Sequence, residues 1–299
     1  METRDYMGPL KLILLATDGS ESSEGAVKEA IYLAKSCVAK LSVIYVLETN
    51  PEFETEGLKF VEKMEHAARE HLEEIRKEAA AENVEIEAIV RRTDQPYKAI
   101  IEEAAKMKSD VIVMGRRGRT GLEKMLMGSV AAKVIGYAPC KVLVVPRFAT
   151  ISCKNILIAT DGSKYSIAAA TEAIGIAKRC KSNLIIVAAV HTEALSSMIA
   201  DTGYTQDQQA VIQKEELQRA ERNISVVKEL AEKEGIHAKD FISEGRPYEA
   251  IVKAALNNDV DLIVVGSHGR TGISRFLMGS VTERVIGHAE SAVLIVKAE

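Results

Sequence analysis

The chain has no tryptophan, and aromatic residues make up only 4% of its 299 positions. Stacking platforms for single-stranded nucleic acid need such side chains. An excess of positive charge is missing too: 39 Lys and Arg stand against 43 Asp and Glu, a formal net charge of −4. Nucleic-acid proteins usually carry a strongly basic face, so this balance argues against that class. No run reaches the ~18 apolar residues of a membrane span. The apolar run Leu12–Ala16 is too short for a signal sequence and ends in a polar TDGS turn. The expectation is a cytoplasmic protein with neither membrane nor nucleic acid as partner. The four cysteines, Cys37, Cys140, Cys153 and Cys180, form no CxxC pair and are expected as buried, reduced thiols. Catalytic signatures are also absent: there is no Walker G-x4-GK[ST], kinase set, HExxH or G-x-S-x-G. His66 and His71 share a charged helical stretch and are expected to face solvent rather than a metal.

What is present is an ordinary globular composition, 47% hydrophobic and 27% charged, at a length that suits about two domains. An internal repeat follows. KLILLATDGS at residues 11–20 returns as KNILIATDGS at 154–163. GRRGRTGLEKMLMGSV at 115–130 returns as GSHGRTGISRFLMGSV at 266–281. The second copy is longer by eight residues between Cys180 and Pro247, with the surplus placed around Thr192–Gln209. One domain type is therefore used twice, over residues 1–148 and 149–299, with the seam near Arg147–Ser152.

Each half alternates apolar strands with helices. In the first, strands are expected at Lys11–Thr17, Leu41–Leu47, Val84–Arg91, Val111–Met114 and Val142–Val145. Helices are expected at Ala26–Cys37, capped by Ser22 or Ser23, at Leu58–Ala81, at Tyr97–Met107 opened by Pro96, and at Val130–Tyr137 capped by Ser129. The second half repeats this order. Such alternation implies two tandem doubly wound α/β domains, each a parallel sheet of five strands flanked by four helices. Ligands of these folds bind beyond the carboxyl ends of the strands, at the switch point.

Two polar elements fall at strand ends in each half. Asp18 and Asp161 follow the first strands; the glycine loops follow the fourth and precede a helix. A glycine loop opening a helix suits phosphate, because backbone approach is close and the first amides point at an anion. The serine after the last glycine, Ser129 or Ser280, adds a hydroxyl. The loop at 115–128 carries Arg116, Arg117, Arg119 and Lys124 against Glu123; the loop at 266–279 carries only Arg270 and Arg275, with His268 neutral.

The repeated G-x2-G-x9-G-S, with TDGS upstream and VLVVP or VLIVK at the close, resembles the nucleotide-binding branch of the universal stress protein family, here as a tandem pair. The resemblance covers nearly the whole chain. It implies strand order 3-2-1-4-5 and binding of ATP, ADP or AMP, with Mg²⁺ as an optional companion. Adenine and ribose would lie against Ala16, Asp18 and Val46, with Met114 and Gly115 near the ribose; Gly118, Gly128, Ser129 and Val130 would hold phosphates. The second half offers Ala159, Asp161, Ala189, Val265, Gly266, Gly269, Gly279, Ser280 and Val281. The family pairs domains through its last strand, which here implies an intrachain pseudo-dimer and leaves a homodimer open. The function implied is a stress sensor or regulator. The alternatives are a slow ATPase or phosphotransferase using Asp18, Asp161 and Glu123, a scaffold with a vestigial site, and an electron-transfer flavoprotein-like fold.

Overall fold

The computed structural model describes residues 10–49, 57–118, 127–190, 206–269 and 278–298. In the first half the strands are β1 (Leu12–Thr17), β2 (Lys40–Glu48), β3 (Ile86–Thr93), β4 (Val111–Gly115) and β5 (Lys141–Val145). The helices are α1 (Glu24–Cys37), α2 (Leu58–Ala81), α3 (Pro96–Met107) and α4 (Ser129–Tyr137). The second half holds β6 (Asn155–Ala159), β7 (Asn183–Val190), β8 (Ala238–Glu244), β9 (Leu262–Gly266) and β10 (Ala292–Val296). Its helices are α5 (Lys164–Cys180), α6 (Gln206–Lys233), α7 (Pro247–Asn257) and α8 (Ser280–His288).

The apolar runs form strands because both of their faces are covered. Alternate residues of β1 go to opposite sides: Ile13 and Leu15 pack with Ala30 of α1 and Leu72 of α2, while Leu14 and Ala16 pack with Ile100 of α3 and Ile135 of α4. β2 splits the same way, Val43 and Tyr45 to the first layer and Ile44 to the second. The second half repeats this division, with Ala173 of α5 and Val227 of α6 on one face and Ile251 of α7 and Val285 of α8 on the other.

Within each half every strand pair is parallel. The order is β3-β2-β1-β4-β5, then β10-β9-β6-β7-β8, so both halves show the expected 3-2-1-4-5. One antiparallel pair joins them, with Val293 opposite Val144 and Ile295 opposite Val142. A strand edge rich in valine is thereby covered. Two of the cations that cross between the halves reach helix ends. Arg116, just past β4, donates to the carbonyls of Ile286, Gly287 and Ala289 at the end of α8, at 3.4, 3.2 and 2.9 Å. Lys297, just past β10, donates to Gly136 and Ala138 at the end of α4, at 3.0 and 2.6 Å. Both satisfy the orphan carbonyls of a helix C-terminus and sit where its dipole favours a cation.

Several local expectations change. Ser23 takes the N-cap position of α1 but makes no side-chain capping bond: a 3₁₀ turn at Glu21–Ser23 precedes the helix, and the Ser23 hydroxyl donates to Ser20 O at 2.7 Å instead. α4 begins at Ser129 itself, with Gly128 at the N-cap and no side-chain cap. The four cysteines form no disulfide, yet only Cys153 and Cys180 are buried; Cys37 and Cys140 are half-buried. His66 does face solvent, paired with Glu70 at 3.3 Å, whereas His71 turns inward. Most of the eight-residue surplus, and the loop residues Arg119, Glu123, Lys124, Arg270 and Arg275, lie outside the described residues.

Candidate functional site

Strands β1 and β4 are neighbours whose chains leave the sheet in opposite directions, toward β2 and β5. Their carboxyl ends open a cavity of about 380 Å³. All nine first-half residues named from the sequence line it: Ala16, Asp18, Val46, Met114, Gly115, Gly118, Gly128, Ser129 and Val130. The second half opens a smaller cavity, about 250 Å³, between β6 and β9. It is lined by Ala159, Asp161, Ala189, Val265, Gly266, Gly269, Gly279, Ser280 and Val281.

The glycine loop is closed by a backbone bond from Gly128 N to Arg116 O at 3.0 Å; its counterpart runs from Gly279 N to Ser267 O, also 3.0 Å. Gly115 has to be glycine, because a Cβ there would stand 2.6 Å from Ser22 O. Gly128 differs: a Cβ there would meet only ordinary contacts, 3.5 Å from Arg117 Cα and 3.7 Å from Gly118 N. It would occupy the gap at the start of α4. Among the described residues no side chain caps α4 or α8, whereas Ser163 does cap α5, accepting from Ser166 N. Two helix starts thus offer amides and the positive end of a dipole to an anion. Arg117 adds a cation, and its Nε is buried without a hydrogen-bond partner among the described residues. The uncapped amides, the gap beside Gly128 and this orphaned donor all suit a phosphate.

Asp18 divides its two oxygens. Oδ1 accepts from Ser20 N at 3.1 Å and from Ser20 Oγ at 2.7 Å, holding the turn. Oδ2 points toward the loop, since a Cβ on Gly118 would stand 2.6 Å from it. Asp161 repeats this, with Oδ1 accepting from Ser163 N at 3.0 Å and Oδ2 beside Gly269.

The rest of the first cavity was not singled out by sequence reasoning. Ile44, Ile100 and Pro96 give it an apolar floor and wall, and Thr17, Ser23, Glu48 and Met64 complete it. The alternation of β2 is the available signal for Ile44, two places before Val46. Below the floor, Thr17 Oγ1 lies 3.1 Å from Ser23 Oγ and 3.2 Å from His71 Nε2, and accepts from Gly19 N at 3.2 Å. Ser23 gives its own proton to Ser20 O. The network closes when His71 Nε2 donates to Thr17 and Thr17 donates to Ser23. Thr17 is then a tied structural hydroxyl, and His71 is a clamp between α2 and the turn after β1.

Among the described residues no group of three or more His, Cys, Asp or Glu is arranged to hold a metal, and no helix is long and apolar enough to cross a membrane.

Comparison with known proteins agrees with this architecture. The profile of the Universal stress protein family matches residues 9–146 and again 152–297. A universal stress protein of Methanocaldococcus jannaschii is 40% identical over 141 residues, which is 46% of this chain and 82% of that protein. A putative universal stress protein of Staphylococcus epidermidis is 36% identical over 152 residues, 50% of this chain and 87% of its own. Among solved structures, a universal stress protein from Archaeoglobus fulgidus superimposes with a TM-score of 0.71 at 24% identity, covering 96% of this chain and 98% of that one. At that identity the superposition speaks for the fold. The chain belongs to the universal stress protein family, with two domains of that family in tandem.

Proposed function

We propose that both cavities bind an adenine nucleotide, ATP or its lower phosphates, and that the chain acts as a nucleotide-responsive sensor or regulator of a stress response. The observation that carries this reading is the uncapped start of α4 facing the glycine loop, with an open gap beside Gly128 and the buried Nε of Arg117 next to it. The floor made by Ala16, Ile44 and Ile100 suits a flat apolar base, and Asp18 Oδ2 suits a ribose hydroxyl. Phosphates would meet the amides of Gly118, Gly128, Ser129 and Val130. Mg²⁺ fits only as a companion of the phosphates, since Asp18 and Glu48 are the carboxylates among the described lining. In this reading the β5–β10 pairing makes one chain an intrachain pseudo-dimer.

Mass spectrometry of small molecules released from freshly purified, denatured chain tests the proposal. About two adenine nucleotides per chain are expected, one for each helix start suited to phosphate. A chain that carries none and also fails to bind added ATP would sink it. Steady turnover above ~1 s⁻¹ would favour a dedicated ATPase instead.

The divided role of Asp18 gives a sharper check. Asp18→Asn keeps an acceptor at Oδ1 for Ser20 but removes the charge that faces the loop. Nucleotide affinity of the first half should fall roughly tenfold, about 1.4 kcal/mol, while stability stays within ~0.5 kcal/mol. Calorimetric titration and urea unfolding measure the two. Equal affinity with lost stability would assign Asp18 to the turn alone.

A further inference from the structure

The two cavities differ at one chemically decisive position. Between the first two loop glycines the first half carries Arg116 and Arg117, and the second carries Ser267 and His268. Arg116 is committed to the carbonyls of α8, so among the described residues Arg117 is the loop cation that lines the first cavity. At the matching place in the second cavity stands His268. An arginine stays charged throughout the range in which proteins are folded; an imidazole changes charge between about pH 5 and 8.

Several of the described residues stand around His268, while Arg270, two places on, lies outside them. Its ring packs against Tyr165 of α5 with centroids 5.0 Å apart, and its Nδ1 lies 3.0 Å from Ser267 Oγ. The Lys164 ammonium lies 5.3 Å from the centre of that same tyrosine ring. Asp161 faces the loop from the turn after β6, its Oδ2 only 2.9 Å from where a Cβ on Gly269 would be. The uncapped start of α8 adds a partial positive charge. Among the described residues, the Asp161 carboxylate is set against the Lys164 ammonium and a helix end whose first turn also carries Glu283. A phosphate entering this loop brings nearly two negative charges, and an opposite charge within about 4–6 Å favours the imidazolium form.

We propose that the second cavity takes up a phosphate-bearing ligand together with a proton on His268, so that its affinity rises on acidification while that of the first cavity does not. The proposal rests on the nucleotide reading above. Binding and protonation are linked: a ligand that raises the imidazole pKa must bind more tightly once the imidazole is charged.

The test uses the full chain. Gly128→Val blocks the first cavity and Gly279→Val blocks the second, leaving each to be titrated alone. ATP is titrated calorimetrically at pH 6, 7 and 8, in paired buffers of different ionisation enthalpy. The affinity of the second cavity relative to the first should rise roughly fivefold from pH 8 to pH 6, with net proton uptake on binding. Free ATP titrates identically in both experiments, so the ratio removes its contribution, and the His268→Gln chain accounts for the bound phosphates. His268→Arg should flatten the ratio and raise affinity at pH 8; His268→Gln should flatten it and lower affinity at pH 6. A ratio that does not change with pH, or one that changes equally in the His268→Gln chain, overturns the role of His268 and leaves the nucleotide reading standing. A Gly128→Val chain that binds no ATP at any pH overturns the nucleotide reading of the second half, and this proposal with it.

Discussion

Replacing Gly128 by valine will weaken ATP binding to the first half by at least a hundredfold, about 2.7 kcal/mol, and leave the folded state intact. The backbone at Gly128 has φ −71° and ψ 145°, an extended conformation that valine adopts readily. A Cβ there meets its nearest heavy atom at 3.5 Å, so the protein itself has room for it. What the branched side chain takes away is the space in front of the first amides of α4, where a phosphate would come within hydrogen-bond distance. Gly115 could not serve for this experiment. Its Cβ would stand 2.6 Å from the backbone oxygen of Ser22, so loss of binding there would be inseparable from a displaced turn before α1. Titration with ATP and a melting curve on the same preparation give both numbers. Unchanged affinity in the Gly128→Val chain would remove the phosphate role from this helix start.

The second large effect concerns stability. Glu29 lies on α1 at 6% exposure, and its Oε2 is buried without a hydrogen-bond partner among the described residues. Burial pushes its carboxyl up to about 7; the backbone of Ile151 opposes the shift with a hydrogen bond, and the charge of Asp261 adds to it. A carboxyl whose folded pKa is raised favours the folded state while protonated. Its contribution is full below the unfolded pKa of about 4.3 and is lost as pH rises to the folded value near 7. Glu29→Gln is neutral throughout and keeps the shape. It should therefore stabilise the chain by about 3 kcal/mol at pH 8 and by almost nothing at pH 4.5. Urea unfolding of both chains at the two pH values measures this. A pH-independent difference would show that Glu29 ionises alike in the folded and unfolded states.

The fold was legible because its strands are buried on both faces, which makes each an unbroken apolar run, as in β1 and β4. The alternation of strands and helices then implied a parallel sheet covered on both faces, while the strand order 3-2-1-4-5 came from the family resemblance. Helix starts were less legible. Ser129 sits where a capping serine belongs, yet Gly128 occupies the N-cap and the serine is already helical. Capping preferences describe helices whose first amides need an internal partner, and this helix keeps them open. Of the cavity, the glycines and aspartates were readable from their spacing. Ile44 and Ile100 were not, because in sequence an apolar residue beneath a ligand looks like any other core residue. Arg116 was read as part of the loop's positive charge. Its actual partners, the carbonyls at the end of α8, are some 170 positions away, beyond the reach of local reasoning. His71 was misread as solvent-facing because the helix around it is highly charged, and only the position of Thr17 reveals the inward turn.

The antiparallel seam between β5 and β10 has a consequence for how two unlike halves stay together. Two separate chains carrying these halves would each present a similar valine-rich edge, and like could associate with like as readily as with unlike. Covalent tandem fusion removes that competition. The tether holds the unlike edges at a high effective concentration, so the mixed pairing prevails without any side chain having to reject the matched ones. The two halves are then free to diverge at the glycine loop, an arginine in one and a histidine in the other, and every molecule still inherits one of each.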